Sequence, residues 1–367
     1  MTSERVRRGE KASATVEEIL ELVQQDASNL KTIPHVARGI EGMTRGIPFS
    51  WPPDYRNQLS QADLISVADR VGEIAAVELW KRNGRVAYDL NEELAAALYK
   101  SKIGKMPGSL FDRLPHINPM VVIPDPWPVT DPSSNVRGEV RAFFVTGYTG
   151  DAFCNTTNPD RDGIAIMFWM ERTNLDTGEV QPGQGAVIFF PTFKDAFTLD
   201  DVVKVTEEWH STPGREMDVN TSKKILRQIV PPALSILAYL CCDNRDIEEP
   251  VIRAKRKKRA KAKPRDPFYI RLGWHIGPAL HEARRRFAGR SKDGIAVPSG
   301  AEYGPQHRAG HFKRVWTGPG KKREEVVWVE PYWTKLDMLA ENEDPPTMVV
   351  PVNEQRHDPM RRRDLKK

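Results

Sequence analysis

Apolar residues recur at helical spacing over roughly the first hundred positions and at strand spacing over much of the rest. Thr15-Val-Glu-Glu18 has the form of a capping box, and Val16, Ile19, Leu20 and Val23 follow on one helical face. This predicts a helix of about three turns after a disordered polar tail over residues 1–14. Pro34, Pro48, Pro52 and Pro53 predict a packed loop over 34–59 rather than a helix. Ser60 opens a second helix with Leu64, Val67, Ala68, Val71, Ala75 and Leu79 as its buried stripe and Gly84 just past its end. A third helix is expected from about Asp89, with Glu92 three residues on and Leu94 and Leu98 inward.

The period then changes. Met120 to Ile123, Glu139 to Tyr148, Ile164 to Met170 and Ala186 to Phe190 are β-prone runs, and Asp176-Thr-Gly178 and Pro182-Gly183 are turn signals. Thr198-Leu-Asp-Asp201 caps a helix with Val202, Val205 and Trp209 inward. Ser222 to Asp243 is the strongest core helix, with Pro231 and Pro232 expected to break it. Phe268 to Leu272 reads as a strand and Trp274 to Phe287 as a helix with a basic end at Arg284 to Arg286. Two last strands flank the turn Thr317 to Gly320.

These elements predict an α+β fold. A helical part over 15–103 packs on a central, mostly antiparallel sheet in a main domain over 104–351. A C-terminal β-hairpin joins or covers that sheet, and a disordered basic tail covers 352–367. A soft boundary falls near residue 104.

The chain has 367 residues and a formal net charge of +5, with much of the excess in the C-terminal third. Such an excess suits an anionic partner. The three cysteines, Cys154, Cys241 and Cys242, are too few for a disulfide framework and fit a reducing compartment. Met1 to Lys11 lacks an apolar stretch, so no signal peptide is read, and the longest apolar run, Ile229 to Cys242, falls short of the ~20 residues of a membrane span. The expectation is a cytoplasmic protein with no membrane partner.

Residues 305–333 concentrate aromatic residues, histidines and cations. Arg308, Gly310, His311, Lys313, Arg314, Trp316 and Trp328 compose a candidate binding surface, since cations neutralise phosphates and aromatic rings stack on bases. Alternation puts His311, Lys313 and Val315 on one face and Phe312, Arg314 and Trp316 on the other, which equally suits a sheet with an aromatic core and solvated cations. The run from Arg253 to Arg265, with Arg256, Lys257, Lys258 and Arg259 at its centre, predicts a disordered loop, able to bind RNA or DNA without sequence preference or simply solvated.

Chemistry is sparse. His307 and His311 have a helical metal spacing, but Gly310 and β-prone neighbours place them on a strand, and no nearby Cys or Asp completes a ligand set. No metal and no cofactor is expected. Asp160 and Asp162 are explained as well by a turn, and Gly147-Tyr-Thr-Gly150 is too short to signal nucleotide binding. No phosphate loop or nucleophile elbow is present. A metal-free ribonuclease with His311 as acid or base stays open as the lesser alternative.

Four segments carry a resemblance: Met106 to Pro115, Val140 to Phe144, Ile229 to Ile247, and a C-terminal signature of Arg308-x-Gly310-His311, Trp316-x-Gly318, Val327-Trp328 and Pro331. Over about residues 60–335 the chain resembles a family of anti-CRISPR proteins directed at type V-A systems. Gln306, Ala309 and Phe312 stand where that family usually has His, Arg and Trp. The resemblance implies a phage or plasmid protein that binds a host protein or nascent peptide, near the ribosome, and suppresses a defence nuclease. The alternative is a nucleic-acid-binding accessory protein of a mobile element.

Overall fold

The first helix begins at Thr2, well before Thr15, and runs to Leu30 (α1), so residues 2–14 are helical and Thr15 lies inside the helix. Ala12, Val16, Ile19, Val23 and Ala27 form its buried stripe. A computed structural model describes residues 2–44, 60–130, 136–146, 164–190, 195–210, 219–248, 266–282 and 306–334. Part of the expected loop after residue 34 is instead a helix, Pro34–Met43 (α2). Pro34 sits in its first turn, where the missing N–H costs nothing. Val36, Ile40 and Met43 are its buried face. The second expected helix is present over Gln61–Arg82 (α3), closed by Gly84 at φ 101°.

A strand absent from the expectation follows, Val86–Leu90 (β1). It contains Asp89, the residue read as a helix start. The helix begins three residues later, over Glu92–Tyr99 (α4), because Asn91 is the true cap: its Oδ1 accepts from the Glu93 and Leu94 amides. A short strand Met106–Pro107 (β2) leads to the longer strands Met120–Thr130 (β3), Val136–Thr146 (β4), Ile164–Asn174 (β5) and Val180–Phe190 (β6). All four extend beyond the runs read from sequence on at least one side. The register shifts between Val122 and Trp127, where Pro124 and Pro126 cannot donate to a ladder. The Asp176–Gly178 turn is where it was expected, with Asn174 Oδ1 accepting from the Asp176 amide.

Ala196–Phe197 (β7) pairs with β2, and Leu199–His210 (α5) follows. Its capping box is formed: Thr198 Oγ1 accepts from the Asp201 amide and Asp201 Oδ2 accepts from the Thr198 amide. Val219–Cys241 (α6) is unbroken despite Pro231 and Pro232. The two prolines leave the carbonyls of Arg227 and Gln228 without helix partners, but Arg227 is exposed, so water reaches that side. Burial of Ile229 through Cys242 outweighs the loss. The Lys224–Cys241 stretch is long and apolar enough by composition to cross a membrane, and 72% of it is buried inside this fold.

Ile247–Glu248 (β8) and Phe268–Leu272 (β9) complete a seven-stranded sheet in the order β6-β5-β4-β3-β1-β9-β8. The pairs β3–β4, β4–β5, β5–β6 and β8–β9 are antiparallel, whereas β1 runs parallel to both β3 and β9. The α4 crossover makes the parallel β1–β3 pair reachable. Ile164 to Met170 are buried on both faces: Ile164, Ile166, Phe168 and Met170 face α4, α5 and α6, and Ala165, Met167 and Trp169 face α1 and α3. The architecture is thus α+β, with a helical layer on each face of the sheet.

Beyond β9, residues 277–282 are helical, inside the stretch expected to be a helix; Arg284 to Arg286 lie outside the described residues. So do the basic run with Arg256, Lys257, Lys258 and Arg259, the Asp160–Asp162 pair, Cys154 and the tail over 352–367.

Candidate functional site

Four strands close the chain: Gln306–Arg308 (β10), His311–Thr317 (β11), Arg323–Val329 (β12) and Tyr332–Thr334 (β13). β11 and β12 make the expected antiparallel hairpin, and β10 pairs with β13 as a second ribbon at its base. The hairpin does not join the central sheet; it covers α6 and the end of α4. Gly318 and Gly320 adopt positive φ in the turn, as does Lys321 at 52°.

The base of the hairpin is anchored. Phe312 faces Trp328 and Arg314 faces Val326 in register, so these share one face. Trp328 is 2% exposed, stands edge-on to Tyr239 at 5.3 Å and donates its indole N–H to Ser101 Oγ at 3.2 Å. Its backbone is gripped by Asn244, whose Oδ1 accepts from the Trp328 amide at 3.2 Å and whose Nδ2 donates to the Trp328 carbonyl at 2.8 Å. The Lys102 amide donates to the Gly310 carbonyl. A Cβ at Gly310 would come within 3.0 Å of Ser101 Oγ and 3.1 Å of the Trp328 ring. Gly310 and Trp328 are therefore part of the packing that seats the hairpin.

The tip is open. Trp316 shares the inward face with Phe312 and Arg314, yet it is 57% exposed, because the hairpin runs past the body of the fold. Arg314 forms a short ion pair with Glu324, which pushes the guanidinium pKa further up. Arg113 donates to the Glu324 carbonyl and pairs with Asp243 at 3.4 Å, tying the same strand to the end of α6. Lys313, Lys321 and Lys322 are exposed, and Arg323 pairs with Glu325. His311 is half-buried, with its ring 6.4 Å from that of Tyr332. Arg308 is exposed on β10. The seven signature residues are thus divided: two in the packed base, Arg314 and Trp316 toward the tip on the inward face, His311 and Lys313 on the outward face, and Arg308 on the neighbouring ribbon.

Sequence reasoning missed the residues that hold the hairpin, Ser101, Tyr239 and Asn244, and Asp246 beside them. The Asp246 carboxylate accepts from the His275 and Ile276 amides and meets His275 Nδ1 at 2.6 Å. The Asp246 amide donates to Tyr239 Oη, and burial raises the phenol's pKa well above the usual range. Burial, with repulsion from Asp246, also raises the Glu330 carboxyl. The available signal was the polar cluster Asp243 to Asp246 directly after the longest apolar run. Cys241 and Cys242 are buried, and desolvation pushes the Cys242 thiol up to about 12. Among the described residues no group of three or more His, Cys, Asp or Glu side chains is placed to hold a metal.

The protein is thus an α+β sheet fold with a separately anchored, basic aromatic hairpin. The model of the anti-CRISPR type V subtype A2 (AcrVA2-like) family matches residues 88–335, from within β1 to the residue after β13. The chain belongs to that family of anti-CRISPR proteins. Among solved structures, the crystal structure of AcrVA2 is 15% identical, covers 85% of this chain and 97% of its own, and superposes with a TM-score of 0.42. No curated protein matches the chain.

Proposed function

We propose that the protein suppresses a host defence nuclease without catalysis, by binding a host protein or nascent peptide through the tip of the β11–β12 hairpin. The observation that carries this reading is Trp316, a large aromatic side chain left 57% exposed on a hairpin whose base is firmly packed. Exposed tryptophan on a rigid support is the common anchor of protein interfaces, because its area is buried on binding at little entropic cost. Arg314, already oriented by Glu324, would flank it. The reading places the protein in the cytoplasm of a bacterium that carries a phage or plasmid.

Affinity purification from a bacterial host, with and without nuclease treatment, tests it. A protein or peptide that stays bound after nuclease treatment and is lost with Trp316→Ala supports the reading. Equal recovery by the wild type and Trp316→Ala removes the tip from it.

A second reading has its own observation: Lys321 and Lys322 are exposed in the turn that follows Trp316, and Lys313 is exposed on the opposite face of the same hairpin, cations and an aromatic ring such as single-strand nucleic-acid surfaces combine. It requires binding that falls steeply with salt and weakens in the Arg308→Ala, Lys313→Ala double variant. Binding unchanged in that variant excludes it. RNA or DNA binding by Arg256, Lys257, Lys258 and Arg259 is tested by deleting residues 253–265.

A further inference from the structure

A second site lies across the sheet from the hairpin. A cavity of about 70 Å³ opens at the carboxyl ends of β1 and of the segment of β3 that runs beside it. Asp89, Leu90 and Asn91 form one wall, Val122 to Pro124 another, and Ala12 and Thr15 of α1 a third, with Trp274 at the side. Crevices outside the carboxyl ends of parallel strands are where open α/β sheets bind ligands.

Asp89 is 7% exposed, and no hydrogen bond to its carboxylate is found among the described residues. The cation nearest in the sheet is its register partner Arg271 on β9, but that guanidinium is turned elsewhere. It lies over the Trp274 ring at 5.1 Å and pairs with Glu248 at 3.7 Å. Trp274 is spent on the backbone, donating its indole N–H to the Asp89 carbonyl at 3.2 Å. Glu92, at the start of α4, also lines the cavity. Desolvation outweighs the attraction of Arg271 and raises the Asp89 carboxyl to about 6. A buried carboxylate without donors is costly, and a ligand that brings both charge and N–H groups relieves that cost.

We propose that this cavity binds a primary ammonium group, with Asp89 as its counter-charge. The volume admits a headgroup and excludes a nucleotide, since sites for drug-sized ligands measure roughly 300–1,000 Å³. The ammonium presents three donors, and a carboxylate can accept them. A divalent metal fits less well, because no third ligating side chain joins Asp89 and Glu92 among the described residues. The site is distinct from the hairpin and does not rest on the reading of its tip.

The test is calorimetric titration of the full chain with n-butylammonium, with a lysine capped at both ends, and with the tetramethylammonium ion as a control for charge without N–H donors. Saturable binding of either primary ammonium at about pH 8, absent for tetramethylammonium and at least about tenfold weaker in Asp89→Asn, is the expected result. Tighter binding of the capped lysine identifies a lysine side chain as the natural source, and tighter binding of the free amine identifies a small metabolite. Ala12→Leu, which fills the cavity from α1 and leaves Asp89 in place, should abolish binding and serves if Asp89→Asn does not fold. No saturable heat with the wild type, or equal affinity in the wild type and the folded variants, overturns the proposal.

Discussion

Trp328 and Ser101 lie far apart in the chain and meet in the fold, the indole N–H donating to the serine hydroxyl at 3.2 Å. Ser101 in turn donates to the Ala97 carbonyl at 2.9 Å, so the end of α4 is the seat of the C-terminal hairpin. One buried contact therefore couples an element from the first third of the chain to the segment that carries the family signature. It also gives Gly310 and Trp328, two of the residues that carry the resemblance, a role in packing.

Two substitutions test that seat. Trp328→Ala removes a fully buried ring and its hydrogen bond and should destabilise the protein by about 3–5 kcal/mol. Gly310→Ala forces a methyl group against Ser101 and the Trp328 ring and should cost about 1–3 kcal/mol. Urea unfolding followed by tryptophan fluorescence measures both. Wild-type stability in Gly310→Ala would mean that the hairpin is not held in this position.

Trp316 should behave in the opposite way. It is exposed at the tip, so Trp316→Ala is expected to change stability by less than about 0.5 kcal/mol. Whatever the protein binds through the tip should be lost in the same variant. A large fall in melting temperature would instead make Trp316 part of the packing.

The hairpin was legible because its alternation, its glycine-proline turn and its paired strands are all local. Alternation also divided the signature residues correctly between two faces. It could not say that one face is buried at the base and open at the tip, because that depends on where α4 and α6 end. β1 was missed because Asp89 imitates a helix cap, while the true cap is Asn91. Here tertiary pairing with β3 and β9 overrides a local signal, and the same pairing buries Asp89. The prolines of α6 misled for a related reason: their cost is local, whereas the burial that outweighs it is distributed over the whole helix.

The adjacent cysteines give a prediction about access. Desolvation keeps both Cys241 and Cys242 as thiols near neutral pH, and neither reaches solvent. In a Cys154→Ser background the native protein should not react with a thiol reagent on the minute timescale, and both thiols should react together once urea unfolds it. Rapid modification of either under native conditions would show that the end of α6 opens locally.

Asp89 predicts the shape of the stability curve with pH. Its carboxyl titrates near 3.8 in the unfolded chain and at about 6 in the fold, raised by burial and only partly offset by Arg271 on β9. Glu92 on α4 adds a further carboxylate to the same cavity, and Thr15 and Trp274 contribute no ionisable group. The folded state binds the proton more tightly, so between these two values stability falls as pH rises. Above about pH 6 the ionised, donor-poor Asp89 should cost about 2–3 kcal/mol relative to its protonated form. Asp89→Asn keeps the shape and removes the charge. It should therefore be more stable than the wild type by up to that amount at neutral pH, with the difference shrinking to nothing below about pH 4. Urea titrations of the two proteins across this range decide the matter. Parallel curves would show that Asp89 finds a donor in solution, and a saturating primary ammonium added to the wild type should close the gap if the cavity holds it.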